Sequence, residues 1–145
     1  MRRCRSKKGS AREGLAVVEL ALLLPLLCGL FVVAVDFARV FYFDLTLANA
    51  ARNGAIYGSQ DPTKANDTLG IQTIVGYDLT SLPTVLVSGV QYPQVSSSTD
   101  SSTNPTTLTV TVTYPFTTIT QYPVIPHQFI LSRTVHISVT PLTPN

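Results

Sequence analysis

From Leu20 to Val35 the chain runs sixteen residues without a charge, and only Pro25 and Gly29 interrupt its apolar side chains. Extended back to Leu15, the stretch is 21 residues long with Glu19 as its one charged group. A helix rises about 1.5 Å per residue, so about 20 apolar residues cross a hydrocarbon core of roughly 30 Å. The run therefore predicts a single transmembrane helix, and the remaining residues must be arranged around it.

Charge sets the expected orientation. Residues 1–13 hold six Lys/Arg against Glu13, a balance of +5, whereas Gly14 onward carries four basic and seven acidic residues, a balance of −3. Basic residues before a span hold that end in the cytoplasm, so the rest of the chain is expected outside. A basic arm can also bind nucleic acid, but here it abuts a span, and no nucleic-acid partner is expected. Charged residues make up 12% of the chain and the mean hydropathy is +0.27, which excludes intrinsic disorder as the general state. Cys4 falls in the basic stretch and Cys28 in the apolar run, so no disulfide is expected in the outer region. Cys4 also lacks the apolar, small-residue context of a lipoprotein signal.

Beyond Val35 the helix is expected to continue amphipathically through Phe37, Val40, Phe41, Leu47, Ala48, Ala51 and Ala55. Its last turns are small-sided (Ala48, Ala50, Ala51, Gly54, Ala55, Gly58), which suits close packing against another helix. Gly58 and the Ser59–Pro62 stretch end it. Lys64 to Tyr77 fits a short helix through Leu69, Ile71, Ile74 and Val75. Val85–Tyr92, Thr106–Tyr114 and Arg133–Thr140 read as strands, the last two alternating apolar residues with threonine and other polar types. Gln94–Pro105, rich in Ser, Thr, Asp, Asn and Pro, is expected to be a mobile loop. The expected fold is α+β, with a long N-terminal transmembrane and amphipathic helix packed on a small antiparallel sheet of about three strands. Its parts are a cytoplasmic basic leader (1–14), a helix (15–58) spanning the membrane over 15–35, and an exported Thr/Ser-rich β domain (59–145).

At the boundary between leader and span stands Glu13-Gly14-Leu15-Ala16-Val17-Val18-Glu19-Leu20. A basic leader, a glycine, an apolar residue, a glutamate five residues after the glycine and then a long apolar helix resemble a prepilin peptidase site. With Ala21 through Leu27, Asp36-Phe37-Ala38-Arg39 and Ala50-Ala51-Arg52-Asn53-Gly54-Ala55, the stretch from about 9 to 58 resembles the TadE-like pseudopilins of tight-adherence (Flp) pilus systems. Leu20 stands where the Flp-type motif has Tyr, which points away from a major pilin and toward a minor subunit. The resemblance implies cleavage between Gly14 and Leu15, and a register role for Glu19 during assembly. It also implies as partners a prepilin peptidase, other pilins or pseudopilins and pilus assembly proteins, besides the lipid bilayer. The chain would then reside in a bacterial inner membrane as a single-pass protein and could pass into an extracellular pilus.

The physics of the motif is independent of the resemblance. Glycine before a scissile bond places no Cβ in the way of an extended backbone entering a protease. Cleavage there would leave Leu15 as a free amine, with Glu19 one helical turn away at i+4. A lone carboxylate in an apolar span costs about 2–4 kcal/mol or more and is usually functional with a partner. A carboxylate near a helix N-terminus is also favoured by the dipole. Pro25 is expected to kink the span near Ala21, since membrane helices tolerate proline.

Two other readings compete. The run could be the apolar region of an ordinary signal peptide cut near Ala34, although such regions are about 7–15 residues long and Glu19 would interrupt this one. The chain could also be an uncleaved single-span envelope protein that anchors an outer binding domain. Catalysis is not expected. His127 and His136 are the two histidines, with His136 on a polar strand face, and no Cys/His spacing suggests zinc. Asp61, Asp67, Asp78 and Asp100 are scattered in turn-like contexts and read as solvated loop residues. Asn66-Asp67-Thr68 matches a glycosylation acceptor by pattern alone, and Asp36 with Arg39 reads as a helix-surface ion pair. No metal, cofactor or small-molecule substrate is expected, and the chain reads as a non-enzyme.

Overall fold

The computed structural model describes residues 10–120 and 127–141. The basic leader through residue 9, with Cys4, lies outside the described residues. The chain divides into two compact units, residues 1–37 and 38–145. Helix α1 (Ser10–Gly58) runs through both, with Pro25 inside it.

The second unit holds the remaining elements. After α1 come a one-turn helix α2 (Pro62–Ala65), helix α3 (Thr68–Asp78) and a 3-10 turn at Leu79–Ser81. A hairpin follows, β1 (Val85–Val87) with β2 (Val90–Tyr92), and then β3 (Gln94–Asp100), β4 (Thr107–Thr117) and β5 (Gln128–Ser138). The last three form an antiparallel sheet in the order β3-β4-β5. The α+β architecture and the three-stranded sheet agree with the sequence reading. The two-stranded hairpin is an addition.

Strand β4 organises the core because its alternation is strict. Leu108, Val110, Val112 and Tyr114 are buried, while Thr107, Thr109, Thr111 and Thr113 between them stay half-exposed. Against the apolar face pack Leu47, Ala50, Ala51 and Ala55 of α1 and Ile71 and Val75 of α3. Two glycines let the layers approach. A Cβ at Gly54 would stand 2.5 Å from Val75 Cγ2, and one at Gly58 would collide with Leu108 Cδ2. The small-sided tail, expected to pack closely on another helix and to cover the sheet, meets α3 and the sheet together.

The phase of α1 agrees with expectation at Leu47, Ala51 and Ala55 and differs at Phe37 and Phe41. Beyond Asp36, its buried positions are Leu47, Ala50, Ala51, Gly54, Ala55 and Gly58, with Phe43 half-buried, whereas Phe37 and Phe41 are exposed. Hydropathy alone favoured the large aromatics, but the close layer spacing selects the small residues. Phe43 enters by stacking on Tyr114 and Phe116, each with ring centroids 5.3 Å away.

Two strand readings are corrected. Val85–Tyr92 is not one strand, because Ser88 (φ 53°) and Gly89 (φ 81°) both take left-handed conformations and turn the chain back, pairing Val87 with Val90. A two-residue loop with both φ positive suits the twist of a hairpin. Gln94–Pro105 is not a loop throughout, since Gln94–Asp100 is β3, paired along its length with Thr107–Thr113 of β4. Backbone pairing carries this polar strand, helped by Thr99 Oγ1 donating to the Ala65 carbonyl at 3.1 Å. Val95, Ser97 and Thr99 turn partly inward, although the buried Ser97 hydroxyl has no protein partner.

The aspartates read as solvated loop residues instead fix local structure. Asp61 caps α2 by accepting from the Lys64 N–H at 2.8 Å, and Asp67 caps α3 by accepting from the Gly70 N–H at 2.9 Å. Asp78 accepts from Asn53 Nδ2 at 2.7 Å, and Asp100 accepts from the Ser102 N–H at 2.9 Å. Asn66 donates to the Pro62 carbonyl at 2.9 Å, so Asn66-Asp67-Thr68 is a junction between two helices. The Lys64 N–H is the chief cause holding the Asp61 carboxyl below its usual range, and bonds from Ser102 do the same at Asp100.

Two outcomes are expected from this packing. Gly54→Val forces a branched side chain into Val75 and should cost about 1–3 kcal/mol in thermal or denaturant unfolding of the full chain in detergent. Gly76→Ala, on the exposed side of α3 with no heavy atom within 4 Å of the new Cβ, should gain up to about 1 kcal/mol. The Asp61 contribution follows its depressed folded pKa: it is present above the unfolded carboxylate value of about 4 and lost as pH falls through the folded value. Asp61→Asn keeps a capping acceptor that does not titrate, so it should flatten the acid limb of a melting-temperature series and match the parent at the acid end.

Candidate functional site: the N-terminal apolar helix

Over residues 14–35 the first unit presents apolar side chains on all sides. Leu15, Val17, Val18, Leu20 and Leu22 are all exposed, as are the leucines at 23, 24, 26, 27 and 30 and Phe31. The helical stretch Gly14–Gly58 contains a window of mean hydropathy 2.6 of which none is buried within the protein, and it is long and apolar enough to cross a membrane. A helix that is hydrophobic all round is stable only in lipid or inside a larger apolar assembly.

Gly14, Leu15 and Glu19 sit together near the start of α1, all exposed and all helical. Leu15 and Glu19 are separated by one helical turn and share a face. A Cβ at Gly14 would touch nothing within 4 Å, so no packing contact requires glycine there. Cys28 is an exposed free thiol in the same apolar stretch.

Among the described residues no group of three His, Cys, Asp or Glu could hold a metal. A groove of about 570 Å³ between α3 and β3 is lined by Gln72, Gly76, Leu79, Gln94, Val95 and Ser96 among others, none of them an acid, a base or a thiol. His136 Nδ1 lies 2.8 Å from Thr109 Oγ1 on the exposed face of the sheet, as the alternation of β5 implied.

The polar side chains of the second unit tie α1 to the strands and helices. Arg133 of β5 binds Asp44 of α1 through both carboxylate oxygens, its Nε donating to Oδ1 at 2.6 Å. This hydrogen bond is the main reason the guanidinium pKa is raised. The two residues lie 89 positions apart, and no local pattern in the sequence pairs them. Tyr57 donates to Asp67 Oδ2 at 3.0 Å, which is the chief cause of its raised pKa. Tyr114, whose hydroxyl donates to the Pro83 carbonyl at 3.0 Å, is raised by burial. Of the two residues expected to pair on the helix surface, Asp36 is buried, and Arg39 places its guanidinium carbon 5.1 Å from the Phe116 ring centroid.

No curated protein and no solved structure matches the chain. Residues 14–55 match the family model described as TadE-like protein, beginning at the glycine of the sequence motif and ending within the packed tail of α1. The family resemblance read from the motif thus holds over this helix, and the chain carries a TadE-like segment.

Proposed function

We propose that this protein is a minor pilin or pseudopilin, processed by a prepilin peptidase between Gly14 and Leu15 and acting in assembly of a tight-adherence pilus. The TadE-like segment and the apolar helix support a pilus-associated, single-pass membrane protein. The observation that carries the finer reading is coincidence. The family match starts at Gly14, the exposed apolar surface starts at Leu15, and Glu19 interrupts that surface one turn later.

Each step follows from these residues. The basic leader holds the N-terminus in the cytoplasm and the second unit outside, by the charge bias on either side of the span. The bond after Gly14 lies inside α1, so the peptidase must unwind the helix start to receive an extended backbone. Glycine makes that unwinding cheap, since it is worth about 1 kcal/mol less than alanine in a helix. Removal of the leader exposes the Leu15 amine beside an apolar surface. The Glu19 carboxylate then pairs with an N-terminal amine, its own or that of a neighbouring subunit, and sets the register of lateral helix association. The outer unit takes part through its fold and surface and is assigned no enzymatic step.

Glu19→Ala separates assembly from anchoring. The substitution makes the span more compatible with lipid, so the variant should be cleaved and retained in the membrane. It deprives the amine of its ionic partner, and an unpaired charge in an apolar layer is costly. In vivo crosslinking to pilus partners should fall to background and piliation should fail. Normal crosslinking and normal pili from Glu19→Ala would remove Glu19 as the register residue and favour a plain anchored domain.

A further inference from the structure

Strand β5 is an edge of the three-stranded sheet, 11 residues long, with β4 on one side of it. Two bonds flanking the strand fix which of its backbone groups face β4. The Thr118 N–H donates to the His127 carbonyl at 3.0 Å, and the Val139 N–H donates to the Thr106 carbonyl at 2.8 Å. Bonded positions alternate along an antiparallel ladder, so the odd-numbered residues of β5 bond to β4. The N–H and C=O groups of Gln128, Ile130, Ser132, Thr134, His136 and Ser138 therefore point away from the sheet. The next group in this row, the Thr140 N–H, donates to the Ser59 carbonyl at 2.9 Å. Among the described residues, the row from Gln128 to Ser138 meets no backbone partner on that side.

The opposite edge is not free in the same way. Helix α3 lies against β3, and Gln72 Nε2 donates to the Val95 carbonyl at 3.5 Å. Strand β5 also lacks the usual guards of an exposed edge. It holds no proline, and its one charged side chain, Arg133, is bound by Asp44 through both carboxylate oxygens. On its inner face Leu131, Val135 and Ile137 are half-buried, whereas Leu108, Val110 and Val112 of β4 are fully buried. The edge thus offers an unpaired backbone row beside an apolar row that is partly uncovered. An extended strand with the same alternation of apolar and polar residues completes both.

We propose that β5 pairs antiparallel with β5 of a second copy of this chain, joining the two sheets edge to edge. A second copy is the occupant because its β5 brings the same alternation and a free backbone row, with Arg133 already neutralised by Asp44. With Thr134 on the two-fold axis, Leu131 stands opposite Ile137 of the second copy, and Arg133 stands opposite Val135. An axis at Arg133 would set two guanidinium groups face to face, which destabilises a cross-strand pair. An axis at Ser132 would leave Ile137 opposite His127. The pairing is isologous and closes at two copies, since β3 offers no matching edge. It involves the second unit alone and is independent of cleavage after Gly14.

Thiol crosslinking of the full chain in cell membranes is the test. Cys4→Ser and Cys28→Ser remove the native thiols, and Thr134→Cys or Ser98→Cys is then added singly. Residues opposite each other in a hydrogen-bonded antiparallel pair have Cα atoms about 5.5 Å apart, a separation that a disulfide bridges. Mild oxidation should convert most of the Thr134→Cys chain to a dimer, while Ser98→Cys, exposed on β3, should stay near background. Ser132→Pro removes an outward N–H and leaves the bonds to β4 in place, as proline at an edge allows. Added to Thr134→Cys, it should lower the dimer yield about tenfold while the melting temperature in detergent holds. Equal dimer yields from Thr134→Cys and Ser98→Cys would overturn the pairing, as would an undiminished yield with Ser132→Pro. An adduct of Thr134→Cys with a different chain, in place of the dimer, would also overturn it and assign the β5 edge to another protein.

Discussion

At Gly54 and Gly58 the backbone of α1 lies so close to Val75, Ile71 and Leu108 that a side chain of any size would have to displace one of them. This approach sets the spacing between α1, α3 and the sheet, and the buried set of the second unit follows from it. With the layers this near, the helix face is filled by Ala50, Ala51 and Ala55, and the larger groups come from the opposing elements. Leu47 and Phe43 continue this face toward the other end of the sheet, Phe43 through its ring contacts with Tyr114 and Phe116. Few long-range polar bonds are then needed, and the bidentate Asp44–Arg133 pair supplies one at the sheet edge, where solvent reduces its worth.

The same helix meets two different demands. Its first half exposes leucine, valine and phenylalanine in every direction, which only an apolar surrounding satisfies, while its second half buries a narrow small-residue face against protein. The TadE-like match covers parts of both halves.

Much of this was legible in the sequence because it rested on strong local signals. Sixteen uncharged, mostly apolar residues specify a strongly apolar helix, and the strict alternation of Leu108, Val110, Val112 and Tyr114 with threonine specifies a half-buried strand. The Gly14–Glu19 spacing also pointed to the family that the comparison later matched. What escaped the reading depended on partners distant in sequence. Strand β3 is too polar to announce itself and exists because β4 offers it a pairing edge. On α1 the stripe was legible at Leu47, Ala51 and Ala55 and the close-packing tail at Ala50 and Gly54, whereas Phe41, placed in the stripe by hydropathy, is exposed. The Ser88-Gly89 turn, in contrast, was written locally as a Ser-Gly pair between two short apolar runs. The capping aspartates had the same kind of signal, each standing just before a short helix.

The central claim is that Gly14 marks a processing site at the start of an assembly helix. The most direct measurement is the N-terminal residue and intact mass of the membrane-extracted protein, expressed with and without its prepilin peptidase. The account predicts a mature chain beginning at Leu15 when the peptidase is present, full-length chain when it is absent, and retention of the leader by Gly14→Val in both conditions. A wild-type chain that keeps residues 1–14 beside an active peptidase, or that begins after Ala34, would contradict it.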